Sequence, residues 1–287
     1  MNPYLVGLIT VTAIYAMMGM SMQVAMGYGG MINLGIAGLV AIGGYASAIL
    51  VRTHDWPVVL AILAGALLAT VFGALLAIPA KRIRGDYYAL VALGFLFVVQ
   101  AFLTNMDEIT RGTLGIPGII RPSFAMSGGA FCLFVLAVLG ISYLMLSRGL
   151  NSPFGRALEA VRDDEEVASS LGKPVFRLRV MAMVLCGFFA GIAGALLAHY
   201  IQFISPSMFY LDPTIPIISA VMMGGLASLR GGILGTCVLT LMVETIRFMP
   251  VPFYLVGPLR LMVYMGALLL VVLIWPKGLM GRAQLID

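Results

Sequence analysis

Apolar residues in this chain run in long blocks, with neither the strict alternation of half-buried strands nor the single stripe of a soluble helix. Residues 57–80, 128–147 and 180–201 contain no Asp, Glu, Lys or Arg, and His199 is the only ionisable nitrogen base in the last of them. A helix rises about 1.5 Å per residue, so ~20 such residues cross the hydrocarbon of a bilayer. Residues 36–51, 86–104, 231–249 and 256–275 are shorter or carry one or two polar residues, and are also read as spans. Residues 3–26 read as a retained first helix, because no basic region followed by a small-residue cleavage site precedes or ends them. Residues 214–226 are too short to cross easily and suggest a half-helix. The pattern predicts an all-α, polytopic helical membrane protein with about eight or nine transmembrane helices, folded as one transmembrane domain over residues 1–287.

Composition agrees: 61% of residues are hydrophobic and 10% charged, against roughly 25% charged in soluble domains. The net charge of +5 is placed by its distribution at membrane loops, so no nucleic-acid partner is expected. Lys81, Arg82 and Arg84 form one basic cluster; Arg148, Arg156, Arg162, Lys173, Arg177 and Arg179 a second; Lys277 and Arg282 a third. Basic loops stay in the cytoplasm. All three clusters can lie inside if the helices alternate, which puts residues 54–56, 105–127, 202–212, 250–256 and the N-terminus outside. Arg111 and Arg121 in the long outer loop run against this rule. Trp56, Tyr87, Tyr88 and Trp275 fall near span ends, where aromatic belts form. Cys132, Cys186 and Cys237 sit in apolar runs without metal-ligand or redox spacing and read as packing residues.

The one sizeable polar stretch covers residues 148–179. Ser152 is placed to cap a helix, Pro153 suits its first position, and Gly172 with Pro174 marks its end. Phe154, Leu158, Val161, Ala168 and Leu171 fall near one face. Arg156, Glu159, Arg162, Asp163 and Glu166 occupy the others, with Glu159–Arg162 and Arg162–Glu166 at pairing distance. Two readings remain open: a connecting helix on the membrane surface, or an element docking into the groove of a cytoplasmic partner.

Two glycine-rich segments interrupt the apolar blocks. Gly27, Gly29, Gly30 and Gly35, with Asn33, make residues 27–35 a poor continuous helix, and Gly224, Gly225 and Ser228 do the same for residues 224–232. The two superpose with Gly29 and Gly30 on Gly224 and Gly225, Asn33 on Ser228, and Leu34 on Leu229. Irregular backbone at membrane depth is tolerated only inside protein or along a wet cavity. Paired interruptions point to a translocation pathway; close helix packing through small residues is the competing reading, and fits Gly187, Gly191 and Gly194.

Polar residues within the spans are Gln23, Gln100, His199 and the pair Glu244 and Arg247. The last two are expected to pair near a helix end, and His199 to meet water at an outer end. There is no run of buried carboxylates for proton coupling and no GxxxxGK[ST] loop. Neither a metal site nor a cofactor is expected, nor catalysis in this chain; a membrane-embedded enzyme would want clustered His, Asp or Glu. A stand-alone secondary carrier would want ionisable residues along its path.

These features together resemble the permease subunits of branched-chain amino acid ABC importers, in the shorter-looped M-type form. The resemblance rests on six blocks in order. Gly27-Tyr28 with Gly30, Leu34-Gly35, Ile42-Gly43, Tyr45 and Ala48 form the first. Arg84-Gly85-Asp86-Tyr87-Tyr88-Ala89-Leu90-Val91 with Leu93 and Phe95 is the second, and Gly115-Ile116-Pro117 the third. Ser152-Pro153-Phe154-Gly155-Arg156-Ala157-Leu158 through Arg162-Asp163-Asp164-Glu165 to Leu171-Gly172 is the fourth. Gly224-Gly225-Leu226, Ser228-Leu229, Gly231 and Leu234-Gly235 make the fifth, and Pro276-Lys277-Gly278-Leu279-Met280-Gly281 the last. Ile36 departs from a frequent histidine, and Ser169-Ser170 from an alanine and acidic pair.

The resemblance implies a multi-pass permease of the bacterial inner membrane that brings branched-chain amino acids or a related small polar solute into the cytoplasm. Urea or amide permeases of the same type are the alternative. Implied partners are a second homologous permease, two ATP-binding subunits and a periplasmic solute-binding protein, besides membrane lipid and the solute. Pro153, Phe154, Gly155, Arg156, Leu158, Arg162, Glu165, Leu171 and Gly172 are the implied ATPase-coupling residues. The two glycine-rich breaks would supply the translocation pathway.

Overall fold

Asn2 accepts the amide of Tyr4 and Pro3 takes the first helical position, so α1 (Pro3–Met22) begins where a missing N–H costs nothing. The computed structural model describes residues 2–83, 85–211, 213–248, 252–274 and 278–281. After α1 come α2 (Ile36–His54), α3 (Val58–Ala77), α4 (Gly85–Asn105), the short α5 (Asp107–Thr110) and α6 (Gly128–Leu150). They are followed by α7 (Pro153–Asp163), α8 (Glu165–Ser170), α9 (Val175–Ile201), α10 (Thr214–Gly224), α11 (Leu229–Glu244) and α12 (Phe253–Ile274). Six of the described helices are long and apolar enough to cross a membrane. Of the rest, α12 has 22 residues, α11 has 16 and α10 only 11, the expected half-helix. The chain is a multi-pass helical membrane protein.

Apolar side chains do not drive helices together when the solvent is itself hydrocarbon, so close backbone approach through small residues has to do so. The α2–α3–α9 core shows this. A Cβ on Gly191 would lie 2.9 Å from Ala66 Cα and 2.7 Å from Ala69 Cβ. One on Gly187 would meet the Ala69 carbonyl, one on Gly194 the Val40 carbonyl, and one on Gly43 the backbone of Gly191. The packing expected of these three α9 glycines is therefore found. By contrast, a Cβ on Gly140 in α6 meets nothing within 4 Å.

Loops gather at two ends. At one, the first two basic clusters come together: Arg179 donates to the Ala80 carbonyl at 3.0 Å, and Lys81 sits 5.9 Å from the Phe176 ring centroid. The third cluster (Lys277, Arg282) lies outside the described residues. At the opposite end, β1 (Ile116–Pro117) pairs antiparallel with β2 (Phe203–Ile204), Ile116 facing Ile204. Arg121 caps this end, donating to the Tyr200 carbonyl at 3.0 Å over the ring of Phe131. Two of the loops read as lying on one side, residues 105–127 and 202–212, thus share one end of the bundle.

Two expectations change. His199 is fully buried and does not meet water: its Nδ1 donates to the Ile120 carbonyl at 2.6 Å and its Nε2 pairs with the Ser47 hydroxyl at 2.9 Å. The long loop folds back over the end of α9, so nearness to a helix terminus does not give exposure. Tyr88 is buried too, donating to the Leu76 carbonyl at 3.2 Å, whereas Tyr87 beside it is exposed. The expected Glu244–Arg247 pair involves a side chain outside the described residues; Glu244 accepts the Tyr4 hydroxyl. Gly194→Leu should lower the yield of monodisperse detergent-extracted protein about tenfold, since overpacking costs ~1–3 kcal/mol. Gly140→Leu should stay within about twofold of wild type; size-exclusion profiles of the two variants check this.

Candidate functional site

The first glycine-rich break begins inside α1. From Gln23 to Tyr28 the helix widens to a π-helical turn, a form often found at functional positions. Gly29 would carry a Cβ 2.7 Å from the Ala25 carbonyl, and Gly30 takes a left-handed φ of 65° that turns the chain out of the helix. Asn33 is buried, and its side-chain oxygen accepts the Gly35 amide at 3.0 Å, closing the turn into α2. Its amide nitrogen approaches Cys186 Sγ at 3.7 Å, while Ser21 donates to the Cys186 carbonyl at 2.7 Å, so the break is tied to α9. Gly35 faces α4, where a Cβ would strike the Ala92 carbonyl.

The second break follows the same plan. α10 stops at Gly224, Gly225 turns with a φ of 95°, and the Ser228 hydroxyl accepts the Gly231 amide at 3.0 Å to start α11. The superposition drawn from the sequence thus has physical content. Gly30 and Gly225 are the turning glycines, and Asn33 and Ser228 each satisfy an amide at the start of the following helix. Beyond the turn, Gly224 and Gly231 let α10 and α11 touch backbone to backbone.

The two breaks meet. Gln23, wholly buried, donates from Nε2 to the Gly225 carbonyl at 2.8 Å. A Cβ on Gly27 would lie 2.8 Å from the Ala227 amide nitrogen. The closing turn of the chain docks here as well, with the Leu279 and Met280 amides donating to the Met223 and Gly224 carbonyls, each at 2.9 Å. Gly27, Gly29, Gly35, Gly224 and Gly225 are buried, Ser228 is half-buried and Gly30 is exposed.

At Gly30 stands the polar segment. A Cβ on Gly30 would lie 2.9 Å from Arg162 Cγ, and Arg162 Nη1 donates to the Gly27 carbonyl at 2.7 Å. The guanidinium is held from the other side by Asp163 Oδ1, at 2.8 and 2.7 Å, not by Glu159 or Glu166 as the helical spacing suggested. The segment is two helices rather than one: Asp164 leaves helical geometry (φ −153°, ψ 109°) and caps α8 through the Glu166 and Val167 amides. This local competition by an Asp side chain is why the continuous helix breaks. Ser152 caps α7 through the Phe154 amide with Pro153 in the first position, and Gly172 (φ 75°) ends α8, both as expected.

The coupling candidates divide into two sets. Gly155 and Leu158 are buried, Phe154 is half-buried, and α7 rests on α6, α9 and the π-helical turn. Glu165 forms a bidentate pair with Arg179, at 2.8 and 3.2 Å, with side chains 18% and 12% exposed, so it braces α8 against α9. Pro153, Arg156, Leu171 and Gly172 face outward. Leu171 shares the apolar face of the sequence pattern with the buried Leu158, Val161 and Ala168, yet it is 72% exposed, with Val167 nearby at 55%, because the kink at Asp164 re-aims α8.

The structure brings Glu244 together with three residues that the hydrophobic pattern did not single out, Tyr15, Arg260 and Tyr264. Above the breaks, α1, α10, α11 and α12 line an open cavity of about 460 Å³ whose wall includes Tyr15, Glu244, Arg260 and Tyr264. The available signal was Arg260 itself, a lone arginine within an apolar run.

Comparison with known proteins bears on all of this. Residues 4–273 match the family described as branched-chain amino acid transport system / permease component. The chain is 32% identical over 310 aligned positions to the high-affinity branched-chain amino acid transport system permease protein LivM of Escherichia coli (strain K12), covering 98% of this chain and 71% of that one. It is 28% identical to a probable LivM of Methanocaldococcus jannaschii, covering 77% and 75% of the two chains. Identity to the LivH permease of Escherichia coli (strain K12) is 25%, over 96% and 94%. With a match that spans both breaks and the polar segment between them, this chain belongs to the branched-chain amino acid transport permease family.

Proposed function

We propose that the chain is one of two permease subunits of an ABC importer in the bacterial inner membrane, carrying branched-chain amino acids or a related small polar solute into the cytoplasm. A second homologous permease completes the pathway, a periplasmic binding protein delivers the solute, and two ATP-binding subunits supply the energy. The basic end of the bundle is then cytoplasmic, and residues 148–179 are the coupling segment.

One observation carries this reading: the Arg162–Gly27 hydrogen bond, which joins the polar segment to the glycine-rich break in α1. The exposed Arg156, Val167 and Leu171 present a mixed basic and apolar face of the kind that docks in a groove. The buried Gly155 and Leu158 seat the segment on the bundle. A push on α7 reaches the π-helical turn through Arg162, and crosses to the α10–α11 turn through Gln23 and Gly225. The left-handed glycines at 30 and 225 act as the pivots, so that two arrangements of the paired breaks, biased by ATP, open and close the pathway.

Purification of the tagged native protein in mild detergent, with mass spectrometry of what accompanies it, tests the assembly. Stoichiometric recovery of a second permease and ATP-binding subunits is the expected result; a chain that stays alone after crosslinking would favour a solitary carrier. Leu171→Asp should strip the ATP-binding subunits while leaving the permease soluble and monodisperse. Leu158→Asp should instead collapse folding yield, because a buried charge is costly. Arg162→Gln removes a charged hydrogen bond to a buried carbonyl, worth ~1.5–3 kcal/mol. It should leave the complex assembled and hydrolysing ATP while uptake in proteoliposomes falls about tenfold or more.

A further inference from the structure

The cavity between α1, α10, α11 and α12 measures about 460 Å³, within the ~300–1,000 Å³ typical of small-ligand sites. Its wall carries charges of both signs, Glu244 from the end of α11 and Arg260 from α12. Tyr4, Tyr15, Tyr264 and Thr240 line it as well. Tyr4 donates to Glu244, which fixes that carboxylate at the outer rim. Arg260 lies seven residues into α12 from Phe253, or ~10 Å along the helix at about 1.5 Å per residue. Among the described residues no carboxylate forms an ion pair with it. A guanidinium at that depth is expensive against hydrocarbon and belongs to a functional polar site by default. Between the charges, Val11, Ile217 and Leu239 give the cavity an apolar wall.

We propose that this cavity binds a zwitterionic amino acid with an apolar side chain. Arg260 holds the carboxylate, Glu244 faces the ammonium group, and the apolar wall takes the side chain. This rests on the reading of the chain as an amino-acid importer subunit and adds where the solute sits. The floor of the cavity connects to the breaks: Thr236, which also lines it, donates to the Gly232 carbonyl at 2.8 Å, and a Cβ on Gly19 would lie 3.1 Å from Thr236 Oγ1. One turn further along α1, Gln23 reaches Gly225. A solute spanning α1 and the α10–α11 pair therefore touches the same elements that the coupling segment moves.

The test uses the complete transporter in proteoliposomes with radiolabelled leucine. Arg260→Gln should raise the KM for leucine about tenfold or more, as loss of a charge-assisted carboxylate contact requires, and Arg260→Lys should recover part of it. In a Cys237→Ser background, Thr240→Cys should react with a water-soluble maleimide, and leucine should slow that reaction; leucinamide, which lacks the carboxylate, should not. Should Arg260→Gln fail to assemble, the labelling comparison decides alone. An unchanged KM, or labelling that leucine does not slow in a transporter that imports leucine, overturns the cavity assignment and leaves the importer reading standing. A transporter that imports urea or another uncharged solute and not leucine overturns the amino-acid reading, and this inference with it.

Discussion

The structure turns on how two broken helices satisfy the backbone amides and carbonyls that each break leaves without a helical partner. Here the two breaks satisfy each other. Gln23 reaches from the first to the Gly225 carbonyl of the second, Asn33 accepts the Gly35 amide, Ser228 caps α11, and the Leu279–Met280 turn takes two of the remaining carbonyls. The mutual dependence of the two breaks makes any rearrangement of one a rearrangement of both, which is the behaviour that an alternating pathway needs.

α1 is the axis along which this is organised. From its N-terminal end onward it meets Glu244 through Tyr4, the cavity through Tyr15, the α10–α11 pair through Gly19, the second break through Gln23 and the polar segment through Gly27. The rest of the bundle supplies a fixed frame. In α2, α3 and α9, glycines and alanines hold backbones at contact distance, leaving little freedom to slide. A closely packed three-helix wall thus stands beside two breaks that each turn at a positive-φ glycine.

The polar segment is tied to the first break through Arg162. Its kink at Asp164 separates two tasks. α7 lies against the bundle and carries Arg162 to Gly27, while α8, braced by Glu165 and Arg179, turns Val167 and Leu171 outward. An unbroken amphipathic helix would have buried Leu171 and lost that outward apolar face.

The hydrophobic blocks by themselves determined the helical class, nearly every span and the half-helix α10, because a bilayer imposes length and apolarity on each crossing independently of its neighbours. Glycine content likewise marked both breaks, and the caps Ser152 and Gly172 were legible because capping is local chemistry between residues a few positions apart. Only the tertiary structure decided what depends on residues distant in the chain. It buried His199 under a loop that returns from position 120, and gave Arg162 a carbonyl 135 positions away in place of its helical neighbours. It also set Glu244 and Arg260 on the wall of one cavity with Tyr15 of the first helix. Periodicity fixes which face a residue occupies; what that face meets is set by how the helices pack.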